Sequence, residues 1–200
     1  MPVGVPKVPF QGPGDEDASW DDLYNRLYRA RILFFCRRLD DQLTNHIAGL
    51  LVYLNIQDDK KDINMLINSP GGWLISGRII YDLMQAVQPD VQTLCVGEAA
   101  STAAFVLLGG EITKRLAFPH ARVMMHQPEA DLCQKTQTGG FFMEFDEVKL
   151  LYKYVINCYV QRTGKPKDVI MEDLKKDDFM TPEEAQAYGI IDEVMREENK

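Results

Sequence analysis

The sequence is poor in the residues that hold small or metal-dependent domains together. Four cysteines, Cys36, Cys95, Cys133 and Cys158, are spread through 200 residues, and no two form a Cys-x-x-Cys pair. A disulfide framework needs denser, paired cysteines, so the thiols are read as reduced and buried. None has the electropositive setting of a reactive thiolate. Three histidines, His46, His120 and His126, with no paired His, Cys or carboxylate spacing, argue against a structural zinc site. No apolar run is long enough to span a bilayer. Basic residues are in deficit: 22 Lys and Arg against 30 Asp and Glu give a formal net charge of -8, the wrong sign for gripping phosphate backbones. A GxxxxGK[ST] nucleotide loop is also missing. The opening MPVGVPKVPFQGPGDEDASW has neither the basic-then-apolar order of a signal peptide nor the Arg- and Ser-rich pattern of a transit peptide.

What is present is an ordinary globular balance. Hydrophobic residues make up 46% and charged residues 26% of the chain, enough to bury a full core in one domain without cross-links. Four prolines and three glycines precede Asp15 and predict an extended arm, not a packed element. Trp20, Leu23, Tyr24, Leu27 and Tyr28 recur at helical spacing, predicting a helix over 19–31 capped by Ser19, with Asp21 and Asp22 in its first turn. ILFF (32–35), INMLIN (63–68), VQTLCVG (91–97), KRLAF (114–118), RVMMH (122–126) and IIDEV (190–194) predict strands. Helices are predicted over 40–57, 77–88, 101–108 and 141–163, and TPEE at 181–184 is a capping box. Residues 129–140 are polar and irregular. Alternating strands and helices mean an α/β domain with a largely parallel sheet. The helix after residue 140 carries more aromatic and aliphatic residues than one face holds, which points to burial on a second side at a subunit interface, the alternative being that it simply packs within the domain core.

Ser101 follows VQTLCVG and opens the run STAAFVLL. That places it at the C-terminal end of a strand, where open α/β sheets bind ligands. Two readings fit. Ser101 caps the helix through a backbone N–H, or it is a nucleophile with Ala99, Ala100, Ala103 and Ala104 clearing room for a peptide. No GxSxG elbow decides between them. A serine nucleophile needs a base, a group to orient it and oxyanion donors. His126, closing an apolar strand, is either such a base or a satisfied core residue; His46 and His120 read as surface residues. Asp177 and Asp178 either orient a base or belong to a solvated KKDD run. Gly71 and Gly72, directly after a strand, either aim N–H groups at a substrate carbonyl or make a tight turn.

Taken together, INSPGG (67–72), GEAAS (97–101), KRLAFPHARVMMHQP (114–128), QRTGK (161–165) and DDFMTPEEAQAYGIID (177–192) resemble the proteolytic subunits of the ATP-dependent Clp protease, the ClpP family. The resemblance runs from about residue 18 to 194. It is closest to the plastid-encoded form, which similarly begins MPxGVPKVPF and carries GGEITKRLAFPHARVM. It implies a crotonase-like α/β fold of repeated ββα units with a protruding handle, a strand and long helix at about 129–160. It implies an N-terminal axial arm (1–17), a peptidase domain (18–194) and a short tail (195–200). It also implies a serine endopeptidase with Ser101 as nucleophile, His126 as base and Asp177, rather than Asp178, as orienting acid. The implied oxyanion donors are the backbone N–H groups of Gly71 and Thr102. Such a chain binds no cofactor or metal, and ATP is used by a partner AAA+ unfoldase. The implied partners are homologous subunits in two stacked seven-membered rings and unfolded polypeptide substrates; neither nucleic acid nor membrane is implied, and it is the chain's departures from the pattern that suggest mixed rings containing inactive sister subunits. The implied location is the plastid stroma, with no transit peptide in this chain.

The chain departs from the family pattern at several places. Thr102-Ala103 stands where Met-Gly is usual, Glu129-Ala130-Asp131-Leu132 where the handle strand carries Gly-Gly, Lys176 where an Arg is usual, and Asn64 and Leu66 where aromatics are common. Ala103 adds a methyl near the site, and Lys176 lacks the bidentate fork of an arginine. The alternative these departures suggest is a catalytically weakened structural ring subunit. An acyl-CoA enzyme of the same fold is a more distant one.

Overall fold

The computed structural model describes residues 4–10, 19–128 and 138–195, with the backbone alone for 138–141. Its main sheet is built around two neighbouring parallel strands, β4 (Ile63–Ser69) and β5 (Val91–Ala100), flanked on the β4 side by β3 (Ile32–Phe35). Ile63, Met65 and Ile67 alternate along one face of β4 and are fully buried, while Asn64 and Leu66 point the other way and stay partly open. On its far side β5 pairs first with β6 (Arg115–Ala117) and then, further along, with β7 (Arg122–Met124). Two short strands complete the sheet: β8 (Phe179–Met180), antiparallel to β7, and β9 (Glu193–Val194), parallel to β6. Between Ile67↔Cys95 and Ser69↔Ala99 the register shifts, with four steps on β5 against two on β4. Asn68 spans this bulge, its side-chain oxygen accepting from Glu98 N at 3.1 Å. The bulge re-aims the end of β5, as bulges beside active sites commonly do.

The helices follow from where apolar side chains recur. In α2 (Asp41–Gln57), Leu43, Ile47, Leu51 and Leu54 face the core, and the Asp40 carboxylate caps the first turn through Leu43 N. Helix α3 (Leu74–Ala86) begins three residues before the predicted start, because Gly77 lies inside it and does not interrupt it. All seven residues of α4 (Thr102–Leu108) are buried, which is why its sequence shows no polar face. Phe105 of α4 stacks on Tyr81 of α3 at 4.6 Å; a buried ring of this kind contributes about 1.5–3 kcal/mol from area alone. The capping box of α7 (Pro182–Tyr188) is complete: Thr181 accepts from Glu184 N while Glu184 accepts from Thr181 N.

Several expectations are corrected. Residues 19–31 are not one helix: Ser19–Asp22 form β2, and α1 (Leu23–Arg29) is capped by Asp22, whose carboxylate accepts from Tyr24 N and Asn25 N. Lys7–Phe10 of the predicted unpacked arm form β1, antiparallel to β2. Pairing with this arm draws Ser19–Asp22 out of the helix, and Ser19 Oγ donates to Phe10 O instead of capping. The long helix α5 (Thr138–Thr163) starts within the stretch expected to be irregular, and α6 (Lys167–Asp173), starting after Pro166, was not foreseen. Cys36 is exposed, since the chain leaves β3 at Phe35, whereas Cys95 and Cys158 are buried as expected. The handle strand, Cys133, the start of the arm and the last five residues lie outside the described residues.

Candidate active site

Ser101 sits where β5 turns into α4. Its backbone has φ 53° and ψ -119°, a conformation that non-glycine residues rarely adopt. The Ser101 N–H donates to Met124 O at 2.8 Å, tying the turn to β7. Ser101 holds the N-cap position of α4 yet makes no side-chain capping bond, so the capping reading fails. A strained strand-to-helix turn that presents a serine hydroxyl is the geometry of a nucleophile elbow, reached here without the GxSxG sequence.

His126 and Asp177 are brought together by strand register. β7 and β8 pair Met124 with Phe179; continuing two residues outward in an antiparallel ladder sets His126 opposite Asp177. His126 Nδ1 and Asp177 Oδ1 are 2.8 Å apart, with the histidine side chain 17% exposed and the aspartate 73%. Asp177, not Asp178, makes this contact. The preceding Lys176 pairs instead with Asp173 within its own chain, at 2.8 Å. Gln127 N donates to Leu174 O, so the segment after α6 is held alongside the end of β7.

The two glycines of SPGG divide their roles in a way the sequence does not show. Gly71, at φ 94°, is pressed against the nucleophile turn: an added Cβ would lie 2.7 Å from Ala100 O and 3.0 Å from Ser101 Cβ. Its N–H, however, donates to Ser69 Oγ at 3.1 Å in a buried contact. Gly71 is therefore not placed as the expected oxyanion donor. Gly71 O accepts from Leu39 N at 2.8 Å. In a trans peptide the N–H of the next residue points the opposite way, so Gly72 N–H faces away from Leu39. No acceptor for it is found among the described residues. Thr102 N–H, in the first turn of α4, likewise has no intrahelical partner. Gly72 is also the residue of closest approach to Leu39, where an added Cβ would lie 2.1 Å from Leu39 O.

Ser101, Thr102, His126, Asp177 and Gly72 line one cavity of about 970 Å³, together with Arg38, Trp73 and, from α5, Val155 and Tyr159. Gly71 is not among the lining residues. This volume is at the upper end of the range for small-molecule sites. The cysteines offer no rival nucleophile among the described residues: burial pushes the thiols of Cys36 and Cys158 up, and that of Cys95 to about 11. Nor do three or more His, Cys, Asp or Glu side chains gather to hold a metal among these residues, and no described helix is long and apolar enough to cross a membrane.

A sequence profile of the Clp protease family matches residues 14–198. The chain belongs to the Clp protease family. It is 59% identical over 192 residues to the ATP-dependent Clp protease proteolytic subunit of Lotus japonicus, covering 96% of this chain and 97% of that one. The proteins of the same name from Eucalyptus globulus subsp. globulus and Nicotiana tabacum are each 58% identical, with the same coverage. Clp protease membership agrees with the mostly parallel sheet and its helices, the crotonase-like α/β fold expected from the sequence. Of the residues named from the sequence, Ser101, Thr102, His126 and Asp177 line this cavity, whereas Gly72 lines it in place of Gly71. Arg38, Trp73, Val155 and Tyr159 were missed as lining residues. They come from the segment after β3, the N-cap of α3 and the C-terminal half of α5, and only the fold brings them to one cavity.

Proposed function

We propose that this chain is a serine-type endopeptidase subunit of a Clp protease. The observation that carries the reading is the cavity shared by Ser101 on its strained turn, the hydrogen-bonded His126–Asp177 pair, and the N–H groups of Gly72 and Thr102, which have no acceptor among the described residues. With Nδ1–H donating to Asp177, His126 takes the Ser101 proton on Nε2 as Oγ attacks a peptide carbonyl. The carbonyl oxygen becomes an oxyanion stabilised by Thr102 N–H and by Gly72 N–H, in place of Gly71. His126 then gives its proton to the leaving amine, and the C–N bond breaks. Water, deprotonated by His126, hydrolyses the Ser101 ester and restores the enzyme.

The substrates are unfolded polypeptides, delivered by an AAA+ unfoldase that spends the ATP; this chain holds no cofactor of its own. Homologous subunits, including inactive sisters, close two stacked seven-membered rings around the site, with the handle joining the rings and the arm lining the axial entrance. Exposed apolar side chains support such assembly: Met143 is 73% exposed, Phe142 60% and Leu150 57% on α5, and Trp73 is 70% exposed beside the cavity. The plant origin of the relatives supports a plastid location, and the stroma is the compartment proposed within it.

The test compares complexes carrying wild-type chain or Ser101→Ala, each assembled without another active subunit, on an unfolded protein with unfoldase and ATP. Loss of at least about 10³-fold in rate is expected. Undiminished degradation by Ser101→Ala would remove the assignment, and an intact complex in which the wild-type chain is equally inert would make it a structural ring subunit.

A further inference from the structure

We propose that the side chain of Thr102 positions the oxyanion site by fixing Gly72, a role that depends on the peptidase chemistry proposed above. Thr102 contributes one donor through its own backbone. Its hydroxyl also donates to Gly72 O at 3.0 Å, so the same residue holds the segment that carries the other donor. Apart from the bond from Gly71 N–H to Ser69 Oγ, this segment is tied to Leu39: Gly71 O accepts from Leu39 N at 2.8 Å, and Trp73 N donates to Leu39 O at 3.4 Å. These anchor the glycines to the exit of β3 and set the direction of Gly72 N–H. They do not set its distance from the nucleophile. The Thr102 hydroxyl does, because Thr102 is covalently next to Ser101.

A second contact locks the rotamer that makes this bond. Thr102 is 4% exposed, and its Cγ2 occupies the hollow over Gly77 of α3, where an added Cβ would lie only 2.1 Å from that methyl. A β-branched side chain has little freedom about χ1. With the methyl held over Gly77, the hydroxyl is directed to Gly72. A methionine at 102, the usual residue in the family pattern, has no donor for this bond. Two donors need to hold their separation to within fractions of an ångström to receive one oxygen atom, and Thr102 supplies that constraint from a single side chain.

Two variants separate the hydroxyl from the methyl. Thr102→Val keeps the shape and removes the donor; Thr102→Ser keeps the donor and removes the methyl. Each is measured in the assembled complex for peptide cleavage, for the second-order rate of Ser101 labelling by a fluorophosphonate, and for thermal stability. Thr102→Val is expected to lower kcat about tenfold with KM within twofold, and to slow labelling by the same factor, since both pass through a stabilised oxyanion. Thr102→Ser is expected to recover most of both rates. Equal rates for wild type and Thr102→Val would overturn the positioning role, as would an equal loss in both variants that follows their melting temperatures. A wild-type chain that fails to label at all would count against the peptidase reading instead.

Discussion

At the scale of single residues, Ala103 and Gly72 show what local sequence carries and what it leaves out. Ala103 replaces the glycine usual in the family and was expected to crowd the site. The structure buries it completely in the core, and it is not among the residues that line the cavity. Ala103→Gly should therefore lower stability by about 1 kcal/mol, the ordinary cost of glycine in a helix, visible as a fall in Tm with kcat unchanged; a gain in kcat would show that the methyl does obstruct the site. Ser101, His126 and Asp177 were legible because their neighbouring motifs are distinctive. The choice between Gly71 and Gly72 was not. It rests on which carbonyl Leu39 binds and on where Ser69 Oγ lies, and neither is encoded in the spacing of SPGG.

At the scale of elements, long amphipathic or wholly apolar segments were readable, and short ones were not. β8 has two residues and α6 seven, too few to show a period, yet β8 sets the register that brings Asp177 to His126 and α6 leads the chain there. β9 is positioned by a different device. The Arg115 side chain, 5% exposed, meets Asp192 through Nε at 2.9 Å and Nη2 at 2.5 Å, and Arg115 N donates to the same carboxylate. Burial alone would raise the Asp192 carboxyl, but the Arg115 hydrogen bonds and charge hold it below the usual range. The folded carboxyl thus loses its proton more readily than the unfolded one, so the pair's contribution is full above the unfolded value of about 3.9 and fades as pH falls through the folded one. Asp192→Asn should cost roughly 3 kcal/mol at neutral pH, because it strands a buried guanidinium. Denaturant titrations should show that difference shrinking only at strongly acidic pH; a difference that stays constant to pH 2 would assign the stabilisation to packing.

At the scale of the whole molecule, the chain divides between a closed core and surfaces that call for company. The inner half of α5 puts Val155, Ile156 and Tyr159 into the core, while its outer half leaves Phe142, Met143 and Leu150 exposed. Excess apolar residues on this helix were visible in the sequence, but which half they left uncovered was not. Val155 and Tyr159 also line the cavity that holds Ser101 and His126, so the helix proposed to join the rings forms part of that cavity's wall. In a mixed ring, loss of bulk activity cannot be ascribed to one chain. The most direct measurement is therefore to treat the intact complex with a fluorophosphonate and locate the adduct by peptide mass spectrometry. The expected result is a phosphonylated Ser101, absent when His126 is replaced by alanine. A complex whose other active subunits label while Ser101 stays unmodified would contradict it.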